Sequence, residues 1–127
     1  MTPRAAQLLD DAGRAILSAR EELETQGAAV AAQSASAAML ALAQACLAVD
    51  GLTPATPNAI CIAYGQRFAR TRRLYSAYHR WLLDSADLGR AASGQIVATI
   101  DSDSATTSVE RAEIFRDAVE RFLEKSG

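Results

Sequence analysis

The sequence predicts an all-α fold, an up-and-down bundle of four or five helices forming one domain over 1–127. Three observations predict it. Apolar residues recur at three- and four-residue spacing along most of the chain, the period of a single helix face. Half of the residues are hydrophobic but only 6% are aromatic, so Ala supplies much of the apolar content and lets helices pack closely. Gly and Pro punctuate the chain at Gly27, Gly51, Pro54 and Pro57, where helices are expected to stop and start. A length of 127 residues suits one domain with a buried core.

Helix one is predicted from Pro3 to Gln26. Leu8, Leu9, Ala12, Ile16, Ala19 and Leu23 mark its apolar face, while Asp10, Asp11, Arg14, Glu21 and Glu24 mark the other. Pro3 suits the first turn and Gly27 the stop. Helix two is predicted from Ala28 to Val49, where 11 of the 21 residues from Ala28 to Ala48 are Ala. It is apolar on most faces and therefore belongs at the bundle centre. Its apolar runs are diluted by Ala and interrupted by Gln and Ser, so no transmembrane span is expected. Residues 50–57 form a break, with Gly51 as the cap and two prolines after it.

Helix three starts near Pro57, with Ile60, Tyr64 and Phe68 on one face and Arg67, Arg70 and Arg73 recurring on another. Helix four covers 74–92 and buries Leu74, Tyr78, Trp81, Leu82 and Leu88; periodicity leaves open whether it continues helix three. Residues 93–106 are expected to be irregular, an extended loop anchored by Ile96 and Ile100. The last helix is expected to begin at the capping box Thr107-Ser108-Val109-Glu110 and to run through Phe122.

Charge is distributed unevenly. The net charge is −2, yet no acid lies between Asp50 and Asp84, where Arg67, Arg70, Arg72, Arg73 and Arg80 fall. Twelve of the 13 basic residues are Arg. Arginines neutralise phosphates and aromatics stack on bases, so this stretch, with Tyr75, Tyr78, His79 and Trp81, has the composition of an RNA- or nucleotide-binding face. The alternative is a solvated basic face whose arginines form ion pairs and whose Tyr78 and Trp81 turn into the core. Arg73 and His79 could form a metal-independent ribonuclease pair, His as acid/base and Arg as phosphate stabiliser. On one continuous helix, however, residues six apart lie about 120° from alignment.

His79 is the single histidine, so no metal-ligand cluster is expected. No phosphate loop, dinucleotide-binding glycine pattern, Ser-His-Asp order or zinc motif is present, and no cofactor is expected. Cys46 and Cys61 stand in apolar helical contexts and read as buried, reduced thiols. The first residues, Met1-Thr2-Pro3-Arg4-Ala5-Ala6, lack the apolar core of a signal peptide. A cytoplasmic location without a membrane partner is the expectation.

With the helices placed, the chain resembles the HEPN superfamily (higher eukaryote and prokaryote nucleotide-binding domains), in particular its small stand-alone prokaryotic members. The resemblance runs over most of the chain. Ala38-Met39, Ala43-Gln44-Ala45 and Gly51-Leu52 are similar to the family's second helix and its closing turn. Ala63-Tyr64-Gly65 within 60–68 matches the next helix, and Arg80-Trp81-Leu82 to Asp87-Leu88 the one after. Ala112-Glu113-Ile114-Phe115 with Ala118-Val119 matches the closing helix. The family's tyrosine pair is replaced by Ser36 and Ala37. Its ribonuclease signature, an Arg followed four to six residues later by His, is degenerate here, because Arg90 is followed by no His and His79 precedes it.

The resemblance implies a helical bundle that pairs as a homodimer. The missing motif points to a non-catalytic domain that binds a partner. That partner is a nucleotidyltransferase-like antitoxin of a toxin–antitoxin pair, RNA, or a nucleotide at Arg67, Arg70, Arg72, Arg73 and Arg80. One alternative is a metal-independent ribonuclease toxin using Arg90 and His79 across a dimer cleft. Another is a helical subunit-interaction module without a ligand.

Overall fold

Each helix boundary follows from local chemistry. In a computed structural model, which describes residues 1–94 and 99–126, α1 (Pro3–Thr25) begins where the Thr2 hydroxyl accepts the Ala5 N–H at 3.1 Å. Its buried residues Ala5, Leu9, Ala12, Ile16 and Ala19 form one stripe. Gly27, at φ 103°, then reverses the chain into α2 (Ala28–Val49), so that α1 and α2 lie side by side. α2 buries residues around most of its circumference, from Ala31 to Leu47, and touches each of the other helices. It is long and apolar enough to cross a membrane by length and composition, yet 61% of that window is buried inside the bundle. It is the core helix of the fold, and its Ala content is what allows four neighbours to surround it.

α2 ends in a Schellman stop. The Leu52 N–H donates to the Leu47 carbonyl and the Gly51 N–H to the Ala48 carbonyl, both at 3.0 Å. Gly51 takes the left-handed position at φ 74°, and Leu52 packs against the core, as this motif requires. α3 (Pro57–Tyr64) is opened by the Thr56 hydroxyl, which accepts the Ala59 N–H, with Pro57 in the first turn. It runs into a π-helical turn over Gly65–Ala69. Gly65 leaves room there for the His79 ring, which would have to shift if a Cβ were added, since that Cβ would lie 2.7 Å from His79 Nε2.

The chain breaks between α3 and α4, and α4 spans Ala77–Ala92, three residues shorter at its start than periodicity predicts. Leu74, Tyr75 and Ser76 form a turn instead, with the Tyr78 and His79 N–H groups donating to the Tyr75 and Ser76 carbonyls. Tyr78 and Trp81 are half-buried against the core. α4 crosses α2 at Gly89, where a Cβ would lie 2.5 Å from Ser36 Oγ.

α5 spans Ser102–Ser126, which corrects the expectation of an irregular segment up to Thr106. Asp101 caps it, its carboxylate accepting the Ser104 N–H at 2.6 Å, and Asp103 sits in the positively polarised first turn. The run 101–104 is a helix start, and the capping-box residues Thr107 and Glu110 lie inside the helix. Residues 95–98 of the expected extended loop, Ile96 among them, lie outside the described residues. Among the described residues the protein is an all-α bundle of five helices. Its core is centred on Met39, Leu42, Leu47, Tyr64, Phe68, Leu82 and Phe115.

Candidate functional site

The π turn after α3 ends in a second Schellman stop, and the candidate site grows from it. The Arg73 N–H donates to the Phe68 carbonyl at 3.1 Å and the Arg72 N–H to the Ala69 carbonyl at 3.2 Å. Arg72 therefore takes the left-handed position at φ 55°, the sole non-glycine residue with positive φ among those described. Arg73 follows in the position where an apolar residue usually contacts the helix. Its guanidinium lies 4.2 Å over the Phe68 ring and 5.6 Å from Phe122, a cation–π contact in place of the apolar one. Both of its terminal nitrogens donate to Asp50, at 2.8 and 3.2 Å, and Arg67 approaches the same carboxylate at 3.8 Å. The Arg73 hydrogen bond, ahead of the charges of Arg73 and Arg67, holds the Asp50 carboxyl below its ordinary range.

Across from this turn, α5 presents Ala118, Arg121, Phe122 and Lys125 at helical spacing. Together with Arg72, Arg73 and Tyr75 they line an open groove of about 710 Å³. Its charged lining is entirely cationic: Arg72, Arg73, Arg121 and Lys125. Arg73 is held by Asp50, but no ion pair among the described residues engages Arg72, Arg121 or Lys125. Tyr75 stands at the groove 65% exposed. Its ring meets Tyr78 edge-on at 5.4 Å, and Tyr78 packs on Phe115 at 5.2 Å. Arg72, Arg121 and Lys125 thus gather at one groove, without carboxylate partners among the described residues, beside an exposed aromatic ring.

The predicted arginines do not form one face. Arg72 and Arg73 enter the groove, whereas Arg67 turns toward Asp50. Arg70 lines a separate cavity with Ile62, Leu83 and His79. Arg80 projects from α4 toward Asp84 at 3.9 Å. Two groove cations, Arg121 and Lys125, escaped the sequence reading. The signal was the spacing of Ala118, Arg121, Phe122 and Lys125, an apolar stripe flanked by bases on one side of α5.

The acid/base candidates are apart. His79 Nε2 lies 3.2 Å from the Cys61 carbonyl and its ring covers Gly65, while Arg73 is committed to Asp50. Arg90 pairs with Asp87 and lines a different cleft beside Ser36, Asn58 and Gly89. On α4, His79 and Arg90 are three turns apart, about 16 Å along the axis at 1.5 Å per residue, so one chain does not bring them to one phosphate. Both cysteines are free and buried. Burial pushes the Cys46 thiol up to about 12 and raises that of Cys61, so neither is a ready thiolate nucleophile. The chain matches no protein-family model and none of the curated proteins.

Proposed function

We propose that this chain is a non-catalytic, cytoplasmic, HEPN-like helical domain that binds a phosphate-bearing ligand, RNA or a nucleotide, without cleaving it. The observation that carries the reading is the groove at 72–75 and 121–125, with four cations and no carboxylate in its lining. The engagement of His79 by the Cys61 carbonyl, of Arg73 by Asp50 and of Arg90 by Asp87 supports binding over cleavage. A protein that neutralises phosphates must bind less tightly as salt rises, because bound counterions are released.

The test is purified protein incubated with total RNA. Binding without cleavage is expected, and His79→Ala and Arg90→Ala are expected to bind as the parent does. Cleavage that disappears in both variants would overturn this reading in favour of a ribonuclease acting across two subunits. Pairing with a second copy belongs to the same proposal. It is supported by Ile62, which is 61% exposed beside the apolar cavity lined by Cys61 and Leu83. Sedimentation at micromolar concentration should give a dimer, and Ile62→Glu a monomer; a monomeric parent protein would remove that part.

A further inference from the structure

We infer that the groove takes a single strand of nucleic acid, its backbone on Arg72, Arg121 and Lys125 and one base on the ring of Tyr75. The inference deepens the phosphate-site reading above and rests on it. Tyr75 is the single aromatic among the exposed large apolar side chains of the described residues, and it stands in the groove where the cations gather. An exposed aromatic surrounded by charge normally costs solubility and contributes little to the core; here it has a support that makes it a platform. Its edge-on contact with Tyr78 continues to Phe115, which is fully buried, and to Trp81. The ring is thereby linked to the core through Tyr78, while most of its surface stays open to a stacking base.

The placement of the cations distinguishes a strand from a smaller anion. Arg121 and Lys125 are one turn apart on α5, about 6 Å, and Arg72 faces the groove from the turn before α4. Cations on two elements that line one groove with an exposed aromatic can meet separate phosphates of an extended backbone. A duplex hides the faces of its bases within its own stack, so it can use the cations but not the ring. Base stacking on an aromatic is tolerant of sequence, because every base has a π face. The groove should therefore select single-strandedness and be indifferent to sequence.

The experiment is fluorescence anisotropy on the full chain with a short labelled single-stranded RNA, the same RNA as a duplex, and inorganic triphosphate as competitor. The single strand should bind at least about tenfold more tightly than the duplex. Tyr75→Ala should weaken the single strand by about tenfold while leaving its salt dependence unchanged, and Tyr75→Phe should retain affinity, since stacking needs the ring and not the hydroxyl. Tyr75 is exposed, so its replacement leaves the core intact. Equal binding of strand and duplex, with Tyr75→Ala without effect, would overturn the inference but leave a charge-only phosphate site standing. Displacement of the strand by triphosphate at comparable concentration would overturn it in favour of a small anionic ligand. Failure of every probe to bind in a salt-dependent manner would remove the phosphate-site reading itself.

Discussion

Two helices in this bundle stop with the same hydrogen-bond pattern and different residues. At the end of α2 the left-handed position is Gly51 and the following contact residue is Leu52, which packs into the core. At the end of the π turn the same two positions are Arg72 and Arg73. A left-handed non-glycine residue costs about 1–2 kcal/mol, and an Arg in the contact position needs a partner to lie flat. That partner comes from the first stop, since Asp50, the residue before Gly51, binds Arg73. The first stop has a glycine in the left-handed position and carries no strain there. The second carries strain and charge beside the groove, the kind of place where strain is tolerated because the residue has another task.

The comparison can be broken most sharply at Arg73. Arg73→Ala removes its cover over Phe68 and leaves Asp50, whose side chain is only 16% exposed, without its main partner. Urea denaturation should show a loss of about 2 kcal/mol, the scale of a charged hydrogen bond. Arg73→Leu, which copies the contact residue of the first stop, should lose less because it restores the apolar packing. Gly51→Ala should cost about 1–2 kcal/mol by the same measurement. No atom lies within 4 Å of the added Cβ, so the effect there is conformational and not steric.

Arg72→Gly should move stability and binding in opposite directions. Stability should rise by about 1 kcal/mol as the left-handed strain is relieved, and RNA affinity should fall as one phosphate contact is lost. A variant that gained stability and kept its affinity would show that Arg72 has no place in the site. The smallest effect concerns pH. Asp50 is held below its unfolded value, so its contribution to stability is fully present above about pH 4 and is lost as pH falls through the lowered folded value. Asp50→Asn and Arg73→Ala should each make the acid limb of the stability curve shallower.

The fold was legible where a single signal spoke. Pro3, Gly27 and Gly51 mark the limits of α1 and α2 because Pro3 has the fixed φ of a first helical turn and the two glycines take positive-φ positions that other residues avoid. The start of α5 is ambiguous in the sequence because two valid signals compete. Thr107 and Glu110 have the spacing of a capping box, while the Asp101 carboxylate, six residues before Thr107, accepts the Ser104 N–H and is the cap that is used. A run of Asp and Ser has the composition of a loop and of a helix start alike, and the burial of Ala105 and Ser108, invisible in sequence, decides between them. The π turn left no trace beyond Gly65.

The basic face was legible as a charge imbalance but not as a site. Which arginines are free depends on where Asp50, Asp84 and Asp87 fall in space. Asp50 is 23 residues from Arg73 along the chain. Arg121 and Lys125 join Arg72 only because α5 returns alongside the turn, a tertiary fact that the spacing of either segment does not contain. Arg90 and His79, the pair that the resemblance implies, are engaged by Asp87 and by the Cys61 carbonyl.

The most direct test of the account is the salt dependence of single-stranded RNA binding by the parent protein and by an Arg121→Ala/Lys125→Ala variant. Three unpaired cations predict a slope of log K against log salt of about −2, at about −0.7 per phosphate contact on a single strand. The variant should reduce this to about −0.7, with its fold and thermal unfolding unchanged. A slope near zero in the parent protein, or the same slope in both, would contradict the claim that the groove holds the phosphates.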